Sequence, residues 1–315
     1  MATAPVLIVA SCLILFVGAE LLVRGGASLA LRLGLSPLLV GLTVVAYGTS
    51  TPELLVSLKA AWAGNPDLAI GNVVGSNLFN IGVILGLAAL VSPVRTHLQV
   101  LKWDAPVLVA ATLLTPLTFR DGVVTRGEGG ILLVLAAVYT WWAVRMAKRD
   151  QAAGHEAHVD VPEIKQKGAI WLDLLKIAGG IAVLMVASRL LIDNAVFVAK
   201  SLGVSDTVIG LTIIAAGTSM PELATSLVAA RRQQSDIALG NVLGSSLFNL
   251  FFVLGGAAVI NPVRTLGLQP FDLYGLIGIT VLMFPLLWRD RRVSRFEGGV
   301  LIAAYACYLT IMWPR

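Results

Sequence analysis

Long apolar runs dominate this sequence and restrict what it can fold into. Stretches of about 20 residues with few charges recur along the whole chain, and each is long enough to cross a bilayer as a helix. Of the 315 residues, 57% are hydrophobic and only 13% are charged, whereas average soluble domains carry about 25% charged residues. A soluble enzyme of this length would lack the polar side chains needed to cover its surface. The sequence therefore predicts an all-α membrane protein with the lipid bilayer as its solvent.

Ten apolar segments are long enough to be transmembrane helices. The first run has no Lys or Arg before it, so we interpret it as a retained helix and not as a signal peptide. The only long polar connection lies between the fifth and sixth segments, and its His155, Glu156, His158 and Asp160 are more typical of a solvated linker than of a metal patch. The predicted spans are 5–23, 36–62, 68–91, 104–119, 128–147, 170–202, 205–231, 236–260, 271–288 and 296–313.

The second half of the chain repeats the first at a constant offset of 169 residues. Residues 41–54 match 210–223, and 71–80 match 240–249. Each copy has five predicted spans, an odd number, so the second copy must cross the membrane in the opposite direction. We predict ten transmembrane helices in two inverted-topology five-helix repeats, an arrangement typical of secondary transporters. The predicted units are a first repeat over 1–147, a cytoplasmic linker over 148–169 and a second repeat over 170–315.

The positions of the basic residues predict the orientation. If both termini are outside the cell, 16 of the 23 Lys and Arg residues lie in the inner loops or their flanks, as the positive-inside rule requires. We therefore expect an integral protein of the cell (inner) membrane with both termini outside. The net charge of +5 is spread singly or in short clusters, so it does not indicate a nucleic-acid partner. No obligate protein partner is evident from the sequence.

Two glutamates lie deep within apolar spans. An unpaired carboxylate at the position of Glu53 or Glu222 would cost several kcal/mol. Such a group is kept protonated, is paired with a buried base, or binds a cation. No Lys or Arg lies near the middle of any predicted span, so a bound cation is the preferred interpretation.

Polar residues surround each glutamate in the sequence. Thr49 and Ser50 precede Glu53 by four and three residues, so a continuous helix would place all three on one face. Pro52 lacks an N–H group, and carbonyls that lose helical partners are tolerated at membrane depth where they bind an ion. The second copy repeats this pattern at Thr218, Ser219, Pro221 and Glu222.

The next span of each copy carries a polar stripe at spacing four. Asn72, Ser76 and Asn80 form the first stripe, and Asn241, Ser245 and Asn249 form the second. Such a stripe can be interhelical glue, but its repetition beside a buried glutamate favours ion coordination. All these candidate ligands are oxygens, as hard cations such as Ca²⁺ and Na⁺ prefer, and Ca²⁺ takes about 6–8 of them. Zinc or copper would need His or Cys, which the spans almost lack.

A second charged set lies near the ends of the first and sixth spans. Glu20 and Arg24 are four residues apart, and their equivalents are Arg189 and Asp193 with the signs exchanged. We expect these residues to form structural pairs or to extend toward the membrane surface.

The doubled motif resembles the α-repeats of the sodium/calcium exchanger family, within the calcium/cation antiporters. The resemblance rests on 48–53 (GTSTPE) and 71–77 (GNVVGSN), and it covers essentially the whole chain. It implies Na⁺-driven Ca²⁺ transport by alternating access, in which the first and sixth spans slide past the others. It also implies a set of ion ligands at the membrane midplane, comprising Glu53, Glu222, Thr49, Thr218, Ala46, Ala215, Ser50, Ser219, Ser76, Ser245, Asn80 and Asn249.

Within this set the resemblance assigns different roles. The two glutamates are implied Ca²⁺ ligands shared with Na⁺, and Thr49 and Thr218 add backbone carbonyls. The carbonyls of Ala46 and Ala215 and the four serine hydroxyls form flanking Na⁺ sites. Two departures from the family pattern occur in the second copy: Asn249 stands where several members carry Asp, and Ser246 replaces the Asn found at position 77.

The ion whose gradient drives Ca²⁺ transport has more than one candidate. With Asn at both 80 and 249, the cavity holds two formal negative charges, which predicts that K⁺ is not required. A K⁺-dependent or H⁺-coupled cation exchanger is the alternative within transport. An intramembrane enzyme is disfavoured because no zinc motif, nucleophile pair or cofactor loop is present, and a channel would not show countertransport. We expect no resident cofactor and no catalytic residue, with Ca²⁺ and Na⁺ as transported ions.

Overall fold

The helices of this protein form where the sequence has long apolar runs. The computed structural model describes residues 3–152, 169–202, 215–265 and 268–312. Within these residues, π-helical turns occur at Gly41–Val45, Asn80–Ile84, Val100–Asp104 and Asn249–Val253. Two short two-stranded sheets are formed by β1 (Val94–Arg95), β2 (Val123–Val124), β3 (Val263–Arg264) and β4 (Arg292–Val293). The α-helices are α1 (Thr3–Leu33), α2 (Pro37–Val40), α3 (Ala46–Thr49), α4 (Thr51–Trp62), α5 (Pro66–Phe79), α6 (Leu85–Val91), α7 (Ala105–Thr118), α8 (Arg126–Ala152), α9 (Ile170–Ser201), α10 (Ala215–Thr218), α11 (Met220–Arg231), α12 (Ser235–Phe248), α13 (Leu254–Ile260), α14 (Pro270–Trp288) and α15 (Arg295–Met312).

The described helices agree with most of the predicted spans. Seven of them are long and apolar enough to cross a bilayer, and an eighth candidate is the pair Pro37–Thr49 and Thr51–Trp62, bent by 46°. The predicted seventh span lies partly outside the described residues, which resume at Ala215. The predicted tenth span corresponds to α15, which has 18 residues. Many apolar side chains of α1, α8 and α9 face outward, as in an integral membrane protein.

Two element boundaries differ from the predicted ones. Helix α1 extends ten residues beyond the predicted end at 23, because its polar Arg24 lies on an exposed face while the small residues around it pack inward. Helix α8 continues to Ala152, into the predicted linker, whose remaining residues up to 168 lie outside the described ranges. The possible metal patch at 155–160 is among them.

Two small sheets join loops from different halves of the chain. Val94 of β1 is opposite Val293 of β4, and Val124 of β2 is opposite Val263 of β3. By the 169-residue offset β1 is equivalent to β3, yet these two strands lie in different sheets. Since α7 separates β1 from β2 along the chain, the two sheets lie at opposite ends of that helix.

Helix α1 packs along α9 through small residues. A Cβ added at Gly180 would lie 2.8 Å from both the carbonyl oxygen of Gly18 and the amide nitrogen of Leu22. Glycines therefore let the two backbones approach closely, which is a common way for helices to associate within a bilayer. Most buried apolar side chains of this pair belong to the smaller of two main hydrophobic clusters, which also contains Val40 of α2, Val228 of α11 and Ile237 of α12.

Ion pairs tie α1 to its neighbours at one end of the bundle. Glu20 binds Arg24 at 2.6 Å, as expected from their spacing, and its carboxylate also accepts from Arg232 at the end of α11. Further along α1, Arg32 pairs with Asp173 of α9 at 2.5 Å. The Glu20–Arg232 contact therefore holds α1 against α11, and the Arg32–Asp173 contact holds α1 against α9.

Candidate cation site

Each buried glutamate lies just after a break in its helix. Ser50 has φ −82° and ψ 10°, and Ser219 has φ −87° and ψ 9°, so neither continues the preceding α-helix. A proline follows two residues later in each copy, and its missing N–H leaves the carbonyl of Gly48 or Gly217 without its usual helical donor. Each break therefore places a backbone carbonyl that lacks its helical donor close in the chain to a buried carboxylate.

The two carboxylates are held by serines of the opposite half. Ser50 Oγ donates to Glu222 Oε1 at 2.7 Å, and Ser219 Oγ donates to Glu53 Oε1 at 2.8 Å. Both glutamates are only 1% exposed. The second carboxylate oxygen, Oε2, has no hydrogen-bond partner in either residue within the described part of the chain. Each buried carboxylate therefore has one oxygen that can still accept a hydrogen bond or bind a cation.

This pairing corrects one expectation from the sequence. A continuous helix would have placed Thr49 and Ser50 on the same face as Glu53. Because the helix breaks at Ser50, its hydroxyl turns to Glu222 instead, and Thr49 Oγ1 donates to Asn241 Oδ1 at 3.1 Å. The polar residues are brought together as predicted, but their partners lie across the two halves.

Asn72 and Asn241 support the backbone at each glutamate. Asn72 Nδ2 donates to the Glu53 carbonyl at 3.1 Å and to Ser57 Oγ at 2.9 Å, while its Oδ1 accepts from Thr218 Oγ1 at 3.3 Å. Asn241 makes the equivalent contacts to the Glu222 carbonyl at 3.2 Å and to Ser226 Oγ at 3.0 Å. These asparagines therefore orient the glutamate helices.

The two supporting serines were missed in the sequence analysis. Ser57 lies four residues after Glu53, and Ser226 lies four residues after Glu222, so each shares a helix face with its glutamate. That spacing was the signal available. Both serines are fully buried and bind an asparagine of the neighbouring helix.

The remaining polar stripe lies on the helices that pack against the glutamate helices. Ser76, Ser245, Asn80 and Asn249 are at most 1% exposed. Their side chains retain buried oxygens without a partner in the described ranges: both hydroxyls, Asn80 Oδ1 and Asn249 Oδ1. Buried polar groups are normally satisfied, so a group of unsatisfied oxygens calls for an occupant.

A π-helical turn begins at each of the two asparagines. Asn80 starts Asn80–Ile84, which packs against α11, and Asn249 starts Asn249–Val253, which packs against α4. Helices α4 and α11 begin with the breaks that carry Glu53 and Glu222. Such π turns are frequent at functional sites because they displace side chains from the regular helical repeat. The sequence pattern did not predict these turns.

The predicted carbonyl ligands differ in their surroundings. The Ala46 carbonyl already accepts from the Ser50 N–H at 3.0 Å and from Thr49 Oγ1 at 3.2 Å. The hydroxyls of Thr49 and Thr218 bind Asn241 and Asn72 of the opposite half. Ala215 is the first described residue after the gap that ends at 214, and it begins α10.

Helix α9 lies against both helix breaks. A Cβ at Gly48 would lie 2.4 Å from Ile181 Cδ1, and one at Gly217 would lie 2.3 Å from Ile192 Cγ1. Ser188 Oγ donates to the Gly217 carbonyl at 2.7 Å, which satisfies the acceptor that Pro221 leaves free. The equivalent residue in α1 is Ala19, which has no hydroxyl.

A family profile described as sodium/calcium exchanger protein matches residues 3–145 and 173–313. This chain belongs to the sodium/calcium exchanger family. That family consists of membrane transporters and not of enzymes. The exchanger is 34% identical to the inner membrane protein YrbG of Escherichia coli over 99% of this chain and 98% of the relative. It is 29% identical to the sodium/calcium exchanger MaX1 of Methanosarcina acetivorans, with 94% of both chains covered.

The fold of this exchanger is also found in a solved structure. The sodium-calcium exchanger NCX_Mj, solved after soaking with Na⁺ and Ca²⁺, superposes with a TM-score of 0.84 and 28% identity, covering 99% of this chain and 98% of that one. A local match of 32% identity joins 48% of this chain to 23% of the human sodium/potassium/calcium exchanger 2.

Proposed function

We propose that this exchanger is a secondary active antiporter that exchanges Na⁺ for Ca²⁺. The observation that carries the proposal is the pair of buried carboxylates, each with one oxygen bound by a serine of the other half and one oxygen without a partner in the described chain. No Lys or Arg is among the buried charged residues of the described ranges. A cation is therefore the partner that offsets the charge.

The donor chemistry favours a hard cation. The available ligands are carboxylate, amide, hydroxyl and backbone carbonyl oxygens, which suit Ca²⁺ and Na⁺. Two carboxylates match the charge of one Ca²⁺, and because Na⁺ would use the same carboxylates, the two ions exclude each other. We assign the transported ions, without any resident cofactor, to Glu53, Glu222, Thr49, Thr218, Ala46, Ala215, Ser50, Ser219, Ser76, Ser245, Asn80 and Asn249.

We further propose that the halves are inverted-topology repeats, with both termini outside the inner membrane. Three observations support this arrangement. Equivalent hydrogen bonds occur in the two halves, equivalent strands lie in different sheets, and the basic residues concentrate in the predicted inner loops. The binding site then lies near the midplane, between the two repeats.

Alternating access is the mechanism we propose. Helices α1 and α9 pack closely along each other through glycines, and α9 contacts both helix breaks. A sliding movement of this pair would change which side of the membrane reaches the site. The movement would be possible only with the carboxylates neutralised, because a vacant pair of buried negative charges is costly.

Flux measurements in reconstituted vesicles test the function. Vesicles are loaded with Na⁺, with K⁺ or with buffer of low pH. Uptake of radioactive Ca²⁺ is followed after dilution into buffer that lacks the loaded cation or, for the acidic vesicles, has a higher pH. We expect uptake only with an outward Na⁺ gradient, and with no need for K⁺. Uptake driven by a proton gradient without Na⁺ would contradict the proposed coupling, and flux without any countertransported ion would indicate a channel.

A K⁺-dependent exchanger is the second candidate. It is favoured by the local match to the human sodium/potassium/calcium exchanger 2. Against it, both Asn80 and Asn249 are neutral, so the site has no third carboxylate to hold an additional monovalent ion. Adding K⁺ to both sides of Na⁺-loaded vesicles separates the two candidates, since a strict K⁺ requirement would support the second one.

A further inference from the structure

A chain of hydrogen bonds crosses between the halves beside the proposed site. Asn77 Nδ2 donates to the Ser246 backbone carbonyl at 3.3 Å, and Asn77 Oδ1 accepts from Asn249 Nδ2 at 3.3 Å. A backbone carbonyl can only accept, so Asn77 must turn its amide nitrogen toward Ser246 and its oxygen toward Asn249. Asn249 must then donate its own nitrogen. Its Oδ1 is left buried and without a partner in the described residues.

The other half of the site lacks this connection. The equivalent of Asn77 is Ser246, a shorter side chain whose Oγ has no partner within the described chain. The equivalent of Asn249 is Asn80, and neither its Oδ1 nor its Nδ2 has a partner there. The amide of Asn249 is therefore held in one orientation, whereas the amide of Asn80 is not.

We propose that Asn77 is a positioning residue that fixes the Asn249 amide with its oxygen available to the cation. The inference rests on the proposed cation-binding function of the site. An oxygen attracts a cation, and an amide NH₂ group in the same position repels it. An Asn249 free to turn would have to be reoriented at each binding event, and preorganisation removes that cost.

The two asparagines consequently have different roles in the site. Asn249 is a ligand held ready before the ion arrives, and Asn80 is a ligand that adjusts to the ion that is present. The difference is caused by a residue outside the ligand set. The first repeat has Asn at position 77, and the second repeat has Ser at the equivalent position 246.

A double-mutant cycle tests the role of Asn77. Asn77→Ser introduces the side chain already present at 246, so it keeps a small polar residue at a buried position. We expect Asn77→Ser to raise the KM for Ca²⁺ about three- to tenfold, as expected for one lost hydrogen bond, with little change in maximal rate. In an Asn249→Ala background the same substitution should have no further effect on KM, because the group it positions is gone.

Ser246→Ala is the matched control. It removes the unpartnered hydroxyl but keeps the backbone carbonyl that Asn77 binds, so its KM should equal that of the wild type. As a second readout, the rise in Tm on adding Ca²⁺ to purified protein in detergent should be smaller for Asn77→Ser than for the wild type at equal Ca²⁺.

The outcomes separate this inference from the proposed function. An unchanged KM and an unchanged Ca²⁺-induced Tm rise in Asn77→Ser would overturn the positioning role. The positioning role would also be overturned if the KM of the double variant rose by the product of the two single-variant fold-changes, because the two residues would then act independently. Both results presuppose a wild type that responds to Ca²⁺. A wild type with neither Na⁺-driven uptake nor a Ca²⁺-induced Tm rise would instead refute the proposed function, and with it the inference.

Discussion

Glu53 and Glu222 are the residues on which ion binding depends most directly. We expect Glu53→Gln or Glu222→Gln to reduce Na⁺-driven Ca²⁺ uptake at least about 100-fold, because the amide keeps the shape but removes charge needed by a desolvated divalent ion. The serine of the opposite half can still donate to the remaining side-chain oxygen. Uptake in vesicles, together with size-exclusion and thermal unfolding profiles, measures the loss separately from misfolding.

The matched control for these variants is Glu128→Gln. Glu128 is half-buried near the start of α8, where its carboxylate accepts from the Thr125 N–H at 2.8 Å. Gln also serves in such a capping box, so both fold and uptake should be unchanged. Near-normal uptake by Glu53→Gln or Glu222→Gln would show that the cation site is assigned to the wrong residues.

The contact between α1 and α9 depends on glycine at particular positions. Gly180→Ala would place a Cβ 2.8 Å from backbone atoms of Gly18 and Leu22, and backbone cannot move aside as a side chain can. We expect this variant to lower Tm by several degrees, about 2–4 °C for each kcal/mol lost, and to slow transport. Thermal unfolding and vesicle uptake measure both effects.

The adjacent glycine provides the control for this element. A Cβ at Gly179 would have nothing within 4 Å, so Gly179→Ala should leave both Tm and uptake unchanged. Equal behaviour of Gly179→Ala and Gly180→Ala would mean that close packing of the two helices contributes nothing to stability or transport.

The whole molecule is also joined across its halves by a histidine–aspartate pair. His97, in the loop after α6, has Nε2 2.8 Å from Asp236 Oδ1 at the start of α12. The hydrogen bond to Asp236 raises the pKa of His97. A raised pKa in the folded state stabilises it below about pH 6.5, the unfolded value, and this stabilisation is lost as the pH rises through the folded value.

Thermal unfolding at two pH values tests this link. The Tm difference between the wild type and His97→Gln should be about 1–2 °C at pH 5.5, a small value because the pair is partly exposed. It should disappear at pH 8.5, where His97 is neutral in both states. A difference that grows with pH would contradict a charged pair.

Topology is the property that involves the whole chain. Arg120 and Arg289 are exposed, related by the 169-residue offset, and follow α7 and α14. After Cys12 and Cys307, both exposed, are replaced by Ser, inverted repeats predict opposite labelling by an impermeant thiol reagent. Arg120→Cys should react from outside the cell and Arg289→Cys from the cytoplasm.

The linker and the C-terminus extend this test. Gly154→Cys in the linker should label only from the cytoplasm, and Arg315→Cys only from outside. Labelling of both equivalent positions from the same side would refute the inverted repeat, and complete reversal would refute the orientation inferred from the basic residues.

The sequence by itself determined the elements that depend on local pattern. Apolar runs are governed by the hydrophobic thickness of a bilayer, so they predicted the membrane spans, with errors mainly at helix ends such as Leu33. The constant offset revealed the duplication, and a carboxylate within an apolar span is so costly that Glu53 and Glu222 stood out without any structure.

Only the tertiary structure decided which groups meet. Ser50 and Glu222 are 172 residues apart, and no local periodicity could predict that the hydroxyl crosses to the other half and not to Glu53 on its own helix. The replacement of Asn by Ser at 246 is visible in the sequence, but its effect on Asn249 depends on a contact between distant helices. The positions of the spans are determined by the hydrophobic thickness of the bilayer, which acts on local sequence. The partners of the polar groups are determined by helix packing, which brings distant residues together.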